Sequence, residues 1–262
     1  MCPVTVFEQD GYDLRVEWGL DGVHALGPHC AVLVIVDVLS FTTTVDVAVG
    51  RGGRVLPLPW RDERAAEAAR AAGATLTTSG LVPVDGHPAE LVADASAGWT
   101  LRPSSLVTLP AGTFLAIASP NGATLSAAAA ETGTTVVAGC LRNASAVAAA
   151  VSEIAGDRPI GIVPAGERWR PEQRLRPSLE DYLGAGAIAA AVTGRTAPSA
   201  EASLAKQAYR SVAGTVPGLL ADSVSGRELA AAGVPKDVAL AAEVDASEVV
   251  PLLSAGVFAA AA

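Results

Sequence analysis

The chain has 262 residues, half of them hydrophobic, and a formal net charge of −9 at pH 7, with a sequence pI of about 4.8. That length and apolar content suit one large domain or two small lobes around a sizeable core, and the acidic balance argues against a non-specific nucleic-acid binder, which would show a basic face. The cysteines Cys2, Cys30 and Cys140 are odd in number with no close pair, so neither a disulfide framework nor a zinc knuckle is expected and a reducing compartment fits.

Along the chain, Val4-Thr5-Val6-Phe7 and Leu14-Arg15-Val16-Glu17-Trp18 alternate in polarity. They predict an N-terminal antiparallel hairpin of half-buried strands. From Ala31 the pattern changes to continuous apolar runs: Val32–Val36, Val55–Leu58, Phe114–Ala118, Thr135–Ala138 and Ile160–Val163. Such runs read as strands buried on both faces. Each leads, directly or after a loop, into an Ala-rich helical stretch: Asp62 to Ala72, Asn121 to Glu131, Asn143 to Ile154 and Ser178 to Val192. This alternation predicts the α/β class, a layered α/β/α domain with a mainly parallel or mixed sheet and right-handed crossovers. The stretch 75–112 is rich in Pro, Gly and Ser and predicts an irregular excursion that covers a site. Further helices are expected at Ala200 to Val212 and Gly226 to Ala232, and an edge strand at Val249–Leu253. The whole of 1–262 is expected to form a single unit, or two lobes around that excursion. No basic region and long apolar stretch follows Met1, and the apolar runs are too short or interrupted to span a bilayer. A cytoplasmic protein without membrane or nucleic-acid partners is therefore expected, with a homodimer as the default symmetry.

The loops at the strand ends carry the chemistry. They are Asp37-Val38-Leu39-Ser40-Phe41-Thr42-Thr43-Thr44, Ser119-Pro120-Asn121-Gly122, Gly139-Cys140-Leu141-Arg142-Asn143 and Ala165-Gly166-Glu167-Arg168. Polar residues there, beside helix N-termini, are where open α/β sheets bind ligands. Asp37 ends a very apolar strand, where an unpaired carboxylate is costly; it is either a hard-cation ligand, a catalytic acid or base, or the cap of the next helix. Thr43 and Thr44 can cradle an oxyanion or simply cap. Asn121-Gly122 is a turn or an anion-binding nest. Arg142 can clamp a phosphate bidentately or lie exposed, and Asn143 is a natural N-cap. Glu167 sits past another strand, and Glu180-Asp181 opens a helix, where first-turn carboxylates also suit the dipole. Together with Asp37 these acids form an oxygen-rich set suited to Mg²⁺. Cys140 lacks a local histidine partner and is rejected as a nucleophile. His24, His29 and His87 show no zinc spacing, and GxGxxG after the first strand, GxxxxGK[ST] and GxSxG are all absent.

These loops, together with Trp169, Leu175-Arg176-Pro177-Ser178-Leu179-Glu180-Asp181-Tyr182-Leu183-Gly184-Ala185-Gly186-Ala187 and Ser225-Gly226-Arg227-Glu228-Leu229 with Gly233 and Asp237, resemble in order the 2-phosphosulfolactate phosphatase family. The resemblance runs over essentially the whole chain. It implies a layered α/β fold and a Mg²⁺-dependent phosphatase that hydrolyses 2-phosphosulfolactate to sulfolactate and phosphate, a step of coenzyme M biosynthesis. On that basis Asp37 and Glu167 are the expected catalytic residues. Asp37, Glu180 and Asp181 are the expected metal ligands. Thr43, Thr44, Asn121, Gly122, Arg142, Asn143 and Arg227 are expected to bind a small phosphorylated organic acid. Metal-activated water is preferred to a phospho-Asp37 intermediate, because position 39 is Leu and no DxD pattern exists. The chain departs from the family at Ser40-Phe41, where Arg-Ala is common, and at Gly98-Trp99-Thr100-Leu101-Arg102-Pro103-Ser104, which stands where a Gly-Asn-Ser-Pro loop is usual; Arg102 is the candidate to replace the lost charge. Two alternatives follow: a phosphatase for another small phosphorylated acid, or a non-catalytic anion-binding protein on the same scaffold.

Overall fold

The computed structural model describes residues 6–84, 87–93, 98–169 and 172–261. In chain order, β1 (Leu14–Val16) precedes α1 (Gly19–Leu26), β2 (Val32–Val36) precedes α2 (Phe41–Gly50), and β3 (Arg54–Leu58) precedes α3 (Glu63–Ala72). Next come β4 (Thr75–Leu76) and the separate pair β5 (Leu81–Val84) and β6 (His87–Ala93). Then β7 (Phe114–Ala118) leads to α4 (Gly122–Glu131), β8 (Thr135–Gly139) to α5 (Ala144–Ala155), and β9 (Ile160–Pro164) to the short pair β10 (Glu167–Arg168) and β11 (Leu175–Arg176). Five helices follow: α6 (Leu179–Ala191), α7 (Ala200–Val212), α8 (Val216–Asp222), α9 (Val224–Ala231) and α10 (Pro235–Ala241). The chain closes with β12 (Pro251–Ser254) and β13 (Val257–Ala260).

A strand shows its side chains to alternate faces, and β2 uses this to serve two cores. Val32, Val34 and Val36 pack with Val147 and Val151 of α5 and with Leu183 and Ile188 of α6. Leu33 and Ile35 pack with Phe41 and Val45 of α2, Leu125 of α4, and Leu115 and Ile117 of β7. Both faces are covered by helices, as the continuous apolar run of β2 requires. The layered α/β class expected from the alternation is the one found.

Among the described residues the main sheet has nine strands in the order β1-β9-β2-β8-β12-β13-β3-β7-β4. The first four are mutually parallel, and so are the last three. Between them the hairpin β12–β13 is antiparallel to both neighbours. Three antiparallel steps separate β8 from β3, so the two parallel blocks run in opposite directions. Helix α4 nevertheless packs on β2, β8 and β3, because the sheet folds its two halves over one shared core.

Two expectations are corrected. Among the described residues no N-terminal hairpin forms: residues 6–8 make a 3₁₀ turn and Leu14–Val16 pairs parallel with Ile160–Ile162 of β9. Alternation identified Leu14–Val16 as a strand, but not its partner about 145 residues away; Val4 and Thr5 lie outside the described residues. The C-terminal strand is central rather than at an edge, since Leu252 and Leu253 pair with β8 while Phe258 pairs with Val55 of β3. Local pattern does not reveal that both neighbours of this hairpin come from earlier in the chain. Among the described residues no helix is long and apolar enough to cross a membrane.

Phe258 is fully buried and meets Phe41 edge-on, with ring centroids 6.3 Å apart. It ties the inserted hairpin to α2. Phe258→Ala should lower unfolding free energy by about 3–5 kcal/mol through the cavity it leaves, measured as a shift in denaturant midpoint. A loss under about 1 kcal/mol would show that the hairpin is dispensable to the shared core.

Candidate active site

The loops after β2, β3, β7 and β9 converge on a cleft of about 420 Å³. Asp37, at the end of β2, contributes the first carboxylate. Its Oδ2 accepts the Gly122 amide at 2.8 Å and its Oδ1 accepts the Phe41 amide at 3.2 Å. Thr42 returns its hydroxyl to the Asp37 carbonyl at 2.8 Å, closing the start of α2. Gly122 is required by close approach: a Cβ there would sit 2.8 Å from Asp37 Oδ2 and 2.3 Å from Phe41 Cδ1.

Asp181, in the first turn of α6, has both oxygens engaged by backbone. Oδ1 accepts the Val38 amide at 2.7 Å and Oδ2 the Gly166 amide at 2.8 Å. It thus staples the loop after β2 to the loop after β9. Glu180 precedes it and is 2% exposed. Glu167 completes the acidic group, held through Oε2 by Asn121 Nδ2 at 3.1 Å.

Burial is the largest influence on this group and mutual repulsion adds to it. Burial, with the Glu180 charge adding, pushes Asp37 up to about 6, against the lowering effect of its two amide bonds. Burial, then the charges of Asp37 and Glu180, push Glu167 up to about 7. Asp181 is raised well above the usual carboxylate range by burial and by Asp37 and Glu180. Asp37, Glu167 and Asp181, each pushed upward by burial and by neighbouring carboxylates, form a site that would gain from a cation.

The donor set suits a hard divalent ion, being all oxygen. It is not a closed cage. Among the described residues, the one trio whose ligand atoms all lie within 4.8 Å of one another is Glu8, Asp10 and His29, remote in chemistry from this cleft. No three of the four acids meet that spacing, so a hard cation there would rest on one or two carboxylates with water completing its shell.

Guanidinium groups face the acids. Arg61, Arg102 and Arg168 line the cleft. Arg168 donates from Nε to Asn121 Oδ1 at 3.2 Å and from Nη2 to the Pro120 carbonyl at 3.1 Å. Asn121 therefore bridges Arg168 and Glu167. Arg102 donates from Nε to the fully buried Asp237 at 3.0 Å, and Asp237 also accepts the Ser104 amide at 2.8 Å. The stretch 75–112 thus supplies part of the wall, through Ser79, Leu101 and Arg102.

Asp37, Glu167 and Asn121 line the cleft, with Gly122, Glu180 and Asp181 immediately behind or beside them. The remaining expected substrate ligands do not line it. Arg142 points its guanidinium at Asp46 (3.0 Å), the Leu240 carbonyl (3.1 Å) and Glu243. Asn143 is fully buried and bonds the Cys140 amide and the Val249 carbonyl. Thr43 and Thr44 are buried with hydroxyls committed to the carbonyls of Val38, Ser40 and Leu101. Arg227 is exposed on α9, which offers Glu228 and Leu229 to the cleft instead. For Thr43, Thr44, Arg142 and Asn143 the physical reason is shared: their polar groups are taken by nearby backbone and acidic side chains before any are left for a ligand. Cys140 is buried, and its thiol is pushed up to about 12 chiefly by burial, which fits its rejection as a nucleophile. Sequence reasoning missed Arg61, Arg168 and the Asp237 anchor; their signal was again position just beyond a strand or at a helix start.

Residues 95–256, well over half of the chain, match the family described as 2-phosphosulpholactate phosphatase. No curated relative matches this chain.

Asp181→Leu should cost about 2–5 kcal/mol, because two buried amides lose their acceptor. Asp181→Asn, which keeps one acceptor, should cost less; equal losses measured by chemical denaturation would refute the staple. The raised acids also set a pH dependence. Folding binds protons more tightly at Asp37 and Glu167, so the stability they contribute is complete below about pH 4 and is lost as pH rises through about 6 and 7. The metal-free protein should lose on the order of 3 kcal/mol per group over this window. Melting temperature should fall from about pH 5 to pH 8 and recover with Mg²⁺ more at the higher pH; a rise over that window would overturn the assignment.

Proposed function

The chain belongs to the 2-phosphosulpholactate phosphatase family, and from that premise we propose that it is a Mg²⁺-dependent phosphomonoester hydrolase acting on a small phosphorylated organic acid. 2-Phosphosulfolactate, split to sulfolactate and phosphate, is the first substrate to test. The observation that carries this reading is the meeting of Asp37 and Glu167, backed by the buried Glu180 and Asp181, with three guanidinium groups in one cleft.

Asp37 and Glu180 would hold the ion, with Asp181 orienting the loop between them. When bound, Mg²⁺ supplies charge neutralisation at the phosphoryl oxygens and acidifies water. Arg168 and Arg102 are held by neighbours at fixed positions, so they present charge to a doubly anionic substrate with little ordering cost. One receives the phosphoryl group and the other the substrate's acidic tail. Glu167, lining the cleft and holding a proton near neutrality, delivers that proton to the departing alkoxide oxygen. Asn121 keeps its carboxyl aimed by accepting from Arg168 and donating to Glu167. Phosphoryl transfer needs little beyond such positioning and charge stabilisation.

A second reading, a non-catalytic anion-binding protein, is favoured by Ser40, a neutral residue on the cleft wall. Phosphate release with Mg²⁺ over a panel of phosphorylated hydroxy acids and sulfonates separates the two. Asp37→Ala should lower turnover by about 10²-fold or more. Wild type showing no turnover above that variant on every compound would leave only the binding role. Arg168→Ala should act differently, raising KM by about tenfold or more through lost anion binding. An unchanged KM would remove Arg168 from the substrate contacts.

A further inference from the structure

A second cavity, of about 440 Å³, is lined by Val16, Trp18, Pro177, Leu179, Tyr182 and Leu204. Its lining is mostly apolar, and ordinary solvent-facing packing does not account for it. The rings of Trp18 and Tyr182 stack at 6.0 Å between centroids with 19° between planes. Leu179 and Leu204 remain 42% and 63% exposed at its margin. The volume lies in the range of small-molecule sites.

Two further features give this cavity chemical character. Ser178 lines it and is 1% exposed, yet its hydroxyl has no hydrogen-bond partner among the described residues. Although Ser178 is the N-cap residue of α6, its side chain makes no capping bond. A buried hydroxyl left unpaired costs about 1–3 kcal/mol, which a bound polar group recovers. The cavity is also lined by Glu17 and Glu201, while no Lys or Arg lines it among the described residues. The sign of charge it accepts is therefore set, and the aromatic faces of Trp18 and Tyr182 favour the same sign.

We propose that this cavity is a binding site, separate from the catalytic cleft, for an organic ammonium ion with a ring-sized apolar body and a second hydrogen-bonding group. The apolar body fills the space beside Trp18 and Tyr182. The ammonium is held at the margin by Glu17 and Glu201, and the second polar group pairs with Ser178.

Tyramine is a suitable probe, with phenethylamine lacking the hydroxyl and 4-hydroxyphenylpropionate reversing the charge. Calorimetry on the full chain should show saturable one-to-one binding of tyramine, with phenethylamine about fivefold weaker and the anion at least about tenfold weaker. In Ser178→Ala the gap between the two amines should vanish. Leu204→Arg, a change at an exposed position, should abolish amine binding while leaving the thermal melting of the protein unaltered. The proposal is overturned by any of four results: no saturable binding up to about 10 mM, equal binding of the anion, an amine gap that persists in Ser178→Ala, or binding that survives Leu204→Arg. It is also overturned if sedimentation shows a dimer that Leu204→Arg dissociates, since the cavity would then be an interface between two copies of the chain.

Discussion

The two amide bonds that Asp181 accepts hold the site together. Val38 lies just past β2 and Gly166 just past β9, and neither loop has a partner of its own at that point. One carboxylate from a third element satisfies both, at 2.7 and 2.8 Å. Asp37 does the same for the start of α4, accepting Gly122 from the opposite half of the sheet. The cleft is therefore framed by carboxylate–amide bonds, which are directional and tolerate little displacement once buried.

That framing has an electrostatic cost. Burial and neighbouring carboxylates raise the proton affinity of Asp37, Glu167 and Asp181, and backbone amides compensate only part of it at Asp37 and Asp181. Such a site would gain from a divalent cation, and Glu167 retains a proton near neutral pH. The arginines on the facing wall are anchored by Asp237, Asn121 and backbone carbonyls. Cations and anions thus share one cleft without collapsing onto each other in a single set of ion pairs.

The sheet explains how groups so distant in sequence meet. Strands β2 and β9 are parallel neighbours, so their carboxyl ends lie together by construction. Strands β3 and β7 belong to the block that runs the other way. Their end loops, with Arg61 and Asn121, reach the same cleft because the C-terminal hairpin joins the blocks and both fold over one core containing Phe41, Leu115 and Phe258. Since sheets twist from strand to strand, a nine-stranded sheet with an inserted hairpin can bring opposite-running ends together.

Much of this was legible in the chain itself. Uninterrupted aliphatic runs marked β2, β7, β8 and β9 nearly to the residue, because burial on both faces leaves no polar position. Ala-rich stretches with caps marked α3 to α7, acids at strand ends marked Asp37 and Glu167, and acids opening a helix marked Glu180 and Asp181. Local pattern failed where two futures of a residue differ only in three dimensions. Arg142 and Arg168 each follow a strand end, yet one is drawn to Asp46 and Glu243 and the other to the cleft. Thr43, Thr44 and Asn143 have the right chemistry for anion binding but spend it on nearby backbone. The amino-acid sequence determined the α/β class, the elements and the acidic character of the site, because periodicity and residue type act locally. Tertiary structure decided which arginines face the acids, which carboxylate became a staple, and where the terminal hairpin lies, because those outcomes depend on which distant groups compete for the same hydrogen bonds.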